Sequence, residues 1–392
     1  MTRSRVAAGA NAAPRPSNPV LRYVLIGDGR SPHLAKWARA LSPKVELWVA
    51  SSTGVSSALD DCVPSRRRLE LQTQPDAGGG NIGLLRQLPA LARWLKTVDA
   101  DWINPHYLTS HGTLALAAIK GWSLRGRLLA SAWGSDVLVT PERHVAYRWA
   151  LKRVLAAADL ATSDSQHMAQ AMRRFGSREV MVFPFGLDAL PAMAPAKQPW
   201  LVYANRGLEP IYRPQAVLAW FQGLAARQPE AHLVVANDGS LRAELEAWVQ
   251  AQGLADRVRF VGRLDAGAQA EWYGQAQWYV SLPRSDSVAV SVIEAMAHGA
   301  LPVLSDLPAN RELVRHGQNG LILPEPLQAV DEAGLDAMQA LLAQARKVAR
   351  LNRDWVVSHG LFEPAIGRLL ARVREIDPGQ GARRIVPGGG GR

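Results

Sequence analysis

Residues 282–312 read LPRSDSVAVSVIEAMAHGALPVLSDLPANRE, and the fold follows from how this stretch divides. WYVSL at 278–282 is rich in β-formers, and Pro283 and Arg284 break that strand. Ser287 is placed to cap a helix over 288–297, which Gly299 ends before a second strand at 301–305. Strand, helix and strand make a βαβ unit. The helix is apolar nearly all round, through Val288, Val290, Val292, Ile293 and Met296, so it is expected to be sandwiched. Glu294, set inside it, then requires a partner.

Ribose hydroxyls would satisfy Glu294. The helix start at Ser287, Val288, Ala289 and Val290 offers free N–H groups and the positive dipole end to a diphosphate. Asp286 stands just before it, and eight positions of helix correspond to roughly 12 Å of rise, about the reach of a nucleotide-sugar from ribose to sugar ring. A plainer arrangement is equally open on spacing alone, in which Asp286 only caps the helix and Glu294 pairs with an arginine.

The run of Asp286, SVAVSVI, Glu294 and AMAHGALPV, continued by SDLPANREL at 305–313 and HGQNGLIL at 316–323, resembles a known family. These are the retaining glycosyltransferases of GT-B fold, the glycosyl transferases group 1 family, whose signature is Glu, seven residues, Glu, then AMA-x-G-x-P-V. Asp286 stands where the first Glu is usual. The resemblance implies an α/β chain with two facing doubly wound Rossmann-like domains and a C-terminal helix that crosses back to the first.

The 392 residues, 48% hydrophobic and 20% charged, suit two cores of about 150 to 200 residues each rather than one. A single cysteine, Cys62, rules out a disulfide framework within the chain and fits a reducing compartment. No apolar run approaches the roughly 20 residues of a membrane span, and residues 1–19 lack the apolar centre of a secretory signal, so a cytoplasmic location is expected. The formal charge is +11, but Arg3, Arg5, Arg15, Arg383, Arg384 and Arg392 lie in the terminal segments. The remaining body, about +5, shows no RNA-binding signature, and nucleic acid is not an expected partner.

Along the chain, LRYVLI at 21–26 reads as a buried parallel strand, left through a loop carrying Gly27, Gly29 and Arg30 before an amphipathic helix that starts at His33. This loop lacks GxGxxG spacing; its glycines either admit a ligand to the backbone or simply end the strand. DWINP at 101–105 ends in His106, at the carboxyl end of a strand where α/β sheets place ligand groups, and 128–133 followed by Gly134 and Asp136 repeats the design. Residues 81–96, NIGLLRQLPALARWLK, gather Leu84, Leu85, Leu88, Leu91, Ala92 and Leu95 on one helical face, with Arg86, Arg93 and Lys96 around it and Trp94 on the flank. That face either packs into the core or rests on an anionic membrane, and Pro89 is expected to kink the helix.

The expected organisation is a disordered leader at 1–19, a first domain at 20–188, a Pro/Ala-rich linker at 189–199 and a second domain at 200–352. A crossing helix at 353–377 and a disordered tail at 378–392 complete it. The resemblance implies site roles. His106 and Asp286 face the reacting centre, and Arg206, after the strand at 200–204, clamps the diphosphate with Arg213. Gly27, Gly29, Arg263, Ser287, Val288, Ala289, Val290 and Glu294 hold the donor; Arg30, His33 and Asp136 lie on the acceptor side.

The expected activity is hexosyl transfer with retention from a nucleotide-diphosphate sugar to a lipid-linked or saccharide acceptor, in bacterial envelope polysaccharide, O-antigen or glycolipid synthesis. No cofactor and, without a DxD-like acid pair, no divalent metal are expected. Reversible contact with an anionic inner leaflet completes the picture. Two other classes stay open on sequence alone: a sugar-nucleotide epimerase or phosphorylase of the same architecture, and a non-catalytic module that senses a nucleotide-sugar.

Overall fold

The computed structural model describes residues 20–73, 82–193 and 196–376. The expected leader and tail, Asn81 and residues 194–195 of the linker lie outside the described residues. Among these residues, alternating strands and helices build two all-parallel sheets. The first contains β1 Arg22–Gly27, β2 Glu46–Ser51, β3 Arg68–Glu70, β4 Trp102–Pro105, β5 Arg127–Ser131, β6 Leu160–Ser163 and β7 Val180–Val182, in the order β3-β2-β1-β4-β5-β6-β7. The second contains β8 Gln198–Ala204, β9 His232–Ala236, β10 Val258–Gly262, β11 Ala276–Ser281, β12 Leu301–Ser305 and β13 Leu321–Leu323, in the order β10-β9-β8-β11-β12-β13.

The central strands are apolar without alternation because helices cover both faces. In β1, Val24 and Ile26 enter one helical layer and Tyr23 and Leu25 the other; in β11, Trp278 and Val280 oppose Tyr279 in the same way. Each sheet reverses its strand order once, between β1 and β4 and between β8 and β11. At such reversals the crevice outside the carboxyl ends of the strands receives ligands. Gly27 and His106 stand at the first crevice, Arg206 and the loop after β11 at the second.

The two crevices meet. Ser165 and Ser287 bring their hydroxyl oxygens to 2.8 Å across the gap. The Glu312 carboxylate accepts from the backbone N–H groups of Gln166 and His167, both at 2.8 Å, at the start of the helix Gln166–Arg174. A carboxylate there satisfies orphan donors and complements the helix dipole.

Two helical expectations are corrected. The stretch expected as one helix from 353 to 376 is interrupted: Ala345–His359 runs through the boundary expected at 352, and the chain crosses at Gly360 before the helix Phe362–Ile376. There Leu187 N donates to Gly360 O at 2.7 Å and Phe362 N to Leu187 O at 2.8 Å. The two passages touch because Gly186 has no side chain; a Cβ there would fall 1.8 Å from the Gly360 oxygen. Phe362, Ala365, Ile366, Leu369, Leu370 and Val373 then enter the first core.

The leucine-rich stretch is the second correction. It forms two helices, Ile82–Arg86 and Leu88–Val98, with Pro89 in the first turn of the second, where its missing N–H costs nothing. Leu84, Leu91, Ala92 and Leu95 are buried in the first core, and Trp94 meets Trp48 edge-on at 6.0 Å. Only Leu85, 49% exposed, is left among the large apolar residues of that face for any outside surface. This stripe is core.

Candidate active site

The loop after β11 departs from the expected cap. The helix begins at Val290, not 288, and runs Val290–Ala297 behind Ala289, which makes no side-chain cap. Ser287 is not free to cap because its hydroxyl donates across the gap to Asp164, a carboxyl the sequence reading did not single out. Burial pushes the Asp164 carboxyl up to about 7; the Ser287 bond opposes this, and the nearby Asp286 and Asp136 charges add to it.

Asp286 lies just before this helix and pairs with Arg206, Oδ2 to Nη2 at 2.7 Å, while its Oδ1 accepts from Ser287 N at 3.0 Å. Burial pushes the Asp286 carboxyl up, against the pull of Arg206 and the Ser287 N–H. Arg206 also approaches Ser291 Oγ at 3.4 Å, in the first helical turn, and lies over the Tyr212 ring at 4.4 Å. A fixed guanidinium and the free N–H groups of a helix start thus converge, the combination that binds phosphate groups.

One turn further along, Glu294 closes a buried hydrogen-bond chain. Tyr279 Oη donates to Asn205 Oδ1 at 2.8 Å, Asn205 Nδ2 to Tyr273 Oη at 2.8 Å, and Tyr273 Oη to Glu294 Oε2 at 2.9 Å. Its partner in this structure is therefore a tyrosine, not the arginine of the plainer reading. Burial raises the Glu294 carboxyl, opposed by the Tyr273 bond and by the Lys36 ammonium. Lys36 comes from the other half, where it pairs with Asp188 at 3.2 Å and donates to Gly186 O.

On the facing side, Gly29 passes so close to Ser51 and Gly54 that a Cβ would fall 2.7 Å from Ser51 Oγ. His106 is buried, with Nε2 3.3 Å from Asn104 Oδ1 and its ring edge-on to Trp37 at 5.0 Å. Burial, reinforced by His111 and His33, lowers its pKa to about 3, so the imidazole is neutral at pH 7. Asp136 accepts from Leu108 N at 2.8 Å and Trp133 N at 2.9 Å; it anchors two loops rather than standing open toward an acceptor. His33 lies 4.9 Å from Trp133, and the exposed Arg30 lies against Gly54.

The structure brings together Arg206, Asp286, Ser287 and Glu294 with Gly134, whose added Cβ would stand 3.6 Å from Ser287 Cβ. It commits Arg213 elsewhere. That guanidinium donates to Leu282 O at 2.8 Å and Pro283 O at 2.9 Å and pairs with Glu325 at 2.7 Å, so it shapes the loop and is not aimed at a phosphate. Arg263 follows β10 and is exposed. Among the described residues no three His, Cys, Asp or Glu side chains are grouped to hold a metal ion.

Two facing parallel sheets with a cation and a helix start between them define the GT-B glycosyltransferase class, and comparison with known proteins agrees. The model for Glycosyl transferases group 1 matches residues 185–353, and that for Glycosyl transferase 4-like matches 22–165. The second half of the chain, residues 185–353, resembles the glycosyl transferases group 1 family. It is 28% identical over 329 residues to the phosphatidyl-myo-inositol mannosyltransferase of Mycobacterium leprae, covering 79% of this chain and 81% of that protein. Over 130 residues it is 29% identical to the GDP-mannose:cellobiosyl-diphosphopolyprenol alpha-mannosyltransferase of Xanthomonas campestris, a third of each chain. Among solved structures, Anabaena HepE in complex with UDP superimposes with a TM-score of 0.69 at 17% identity, over 90% of this chain and all of that one.

Proposed function

We propose that this glycosyltransferase moves a hexosyl group from a nucleotide-diphosphate sugar to a hydroxyl of a lipid-linked or saccharide acceptor, with retention at the anomeric carbon, in envelope polysaccharide or glycolipid synthesis. The observation that carries this reading is Arg206, held between Asp286 and Ser291 at the start of the helix Val290–Ala297. There it meets the charge that develops on the leaving diphosphate, without a metal. Glu294 offers its carboxylate to the ribose. Asp286 holds a sugar hydroxyl, and the leaving phosphate takes the acceptor's proton on the same face. The relatives, a phosphatidyl-myo-inositol mannosyltransferase and a GDP-mannose:cellobiosyl-diphosphopolyprenol alpha-mannosyltransferase, support the donor and acceptor classes.

The test is to incubate the protein with UDP- and GDP-sugars in excess EDTA, follow nucleotide release, and read the anomeric configuration of any product by NMR. Release restored only by magnesium or manganese would overturn the metal-free reading, and an inverted product the retaining one. Glu294→Gln is expected to weaken donor binding by about 1–3 kcal/mol in calorimetry, since it leaves buried donors unsatisfied, with little change in thermal midpoint. Undiminished donor affinity would remove Glu294 from the site.

Contact with an anionic leaflet belongs to this reading, through a different helix from the leucine-rich one. In Val145–Ala157, Leu151, Val154 and Leu155 face the core, while Val145 is 76% and Trp149 59% exposed. Arg148, Lys152 and Arg153 flank them, with Arg153 5.1 Å over the Trp149 ring, and the helix carries no acidic residue. Each such cation contributes about 1 kcal/mol near an anionic surface. Phosphatidylserine vesicles are expected to sediment the protein at low salt and release it at high salt. Combining Trp149→Ser with Lys152→Glu and Arg153→Glu should abolish sedimentation at an unchanged thermal midpoint; equal sedimentation of this variant would refute the assignment.

A further inference from the structure

Where β4 ends, the chain makes a costly turn. Tyr107 has φ 66° and ψ 93°, in the left-handed half of the backbone map, where a side chain costs on the order of 1–3 kcal/mol. A π-helical turn, Leu108–Gly112, follows directly. Both features concentrate at functional sites, and here they sit side by side. Their effect is to swing the Tyr107 ring out of the fold, where it remains 43% exposed.

The ring does not move freely. It lies parallel to Trp133, 5.8 Å between centroids and 5° between planes, and Trp133 in turn lies on Phe185 at 4.7 Å and 18°. One carboxylate sets this register: Asp136 holds the residue after Tyr107 through Leu108 N and holds Trp133 through its own N–H. The result is a rigid aromatic column, buried at its base and open at its top. Trp133 is followed by Gly134, whose added Cβ would stand 3.6 Å from Ser287 Cβ of the other half. The open ring, stacked on Trp133, therefore sits beside the seam where the two halves meet.

A flat, preorganised aromatic face that carries its own hydroxyl at the rim fits a ring that is apolar on one face and polar around its rim. A pyranose has that form: C–H bonds project from its face and hydroxyls from its edge. An acyl chain would need an apolar trough, which a single open ring with a polar rim does not supply.

We propose that Tyr107 is a specificity-determining residue of the acceptor side, the surface on which a pyranose ring of the acceptor stacks. This deepens the proposed glycosyl transfer and rests on it. The ring is what matters, so Tyr107→Phe keeps the platform and Tyr107→Gly removes it. Glycine suits the left-handed backbone, so the second variant loses the ring without a folding penalty from strain.

The experiment is saturation-transfer NMR with methyl α-D-mannopyranoside and methyl α-D-glucopyranoside, beside calorimetry with UDP and GDP on the same samples. Wild type and Tyr107→Phe are expected to saturate the ring C–H protons of at least one glycoside, and Tyr107→Gly to lose the signal at least tenfold while binding nucleotide as wild type does. Full saturation in Tyr107→Gly, or none in wild type with either glycoside, overturns the platform. Failure of wild type to bind either nucleotide would instead strike the donor site and the transfer reading, so the two failures are told apart.

Discussion

Arg206→Ala is expected to lower kcat/KM for nucleotide-sugar turnover by about 10²–10³, the usual effect of removing one preorganised group that meets transition-state charge. Two causes act together. The leaving diphosphate loses the guanidinium at the helix start, and Asp286, already pushed upward by burial, loses the cation 2.7 Å away that opposes this. Arg206→Lys keeps a charge but not the fork that spans Asp286 and Ser291, so its loss should be smaller, about tenfold. Initial rates of nucleotide release at varied donor check both. A loss under tenfold in the alanine variant would mean that the leaving charge is met by another group.

The largest effect on stability is expected at Trp37, on the helix Pro32–Leu41. It is fully buried, with its ring 5.0 Å from His106, 6.2 Å from Phe183, 6.0 Å from Phe185 and 5.4 Å from Phe362. Trp37→Ala should cost about 3–5 kcal/mol in denaturant unfolding, the range for emptying a large aromatic site. The loss should appear first in the helix Phe362–Ile376, whose leading residue rests on this ring, as early hydrogen exchange. Trp37→Phe should cost less, because it keeps an aromatic ring in the site and removes an indole N–H that lacks a hydrogen-bond partner in the fold. Slow exchange preserved in that helix of the alanine variant would show that it does not depend on Trp37.

Much of this was legible in the sequence because parallel strands are continuous apolar runs between turn signals, and the sheet order then fixes where ligands bind. Asp286, Arg206 and His106 could be singled out by their places at strand and helix ends, and Glu294 by its isolation inside an apolar helix. What was not legible depends on contacts between distant segments. Ser287 has the chemistry of a cap, and only the folded chain shows Asp164 drawing its hydroxyl away. Arg213 is a cation near a phosphate site in sequence and a clamp on Leu282 and Pro283 in space. The leucine stripe at 84–95 has the same periodicity whether it meets core or lipid, and periodicity alone could not choose. Tyr107 gave no signal, since a positive φ at a tyrosine has no sequence pattern.

The crossing at Gly360 also bears on how the chain is made. The first sheet is complete at Val182, yet Phe362, Ile366, Leu369 and Leu370, which close its core over Trp37, follow about 180 residues later. At typical rates of synthesis, about 5–20 residues per second, that is a delay of roughly ten to forty seconds. During it the whole second half emerges and can fold as an insertion, while the first half waits with an apolar flank uncovered. The cores of the two halves are therefore completed in the reverse of their order in the chain: the second is finished first, and the first is sealed last.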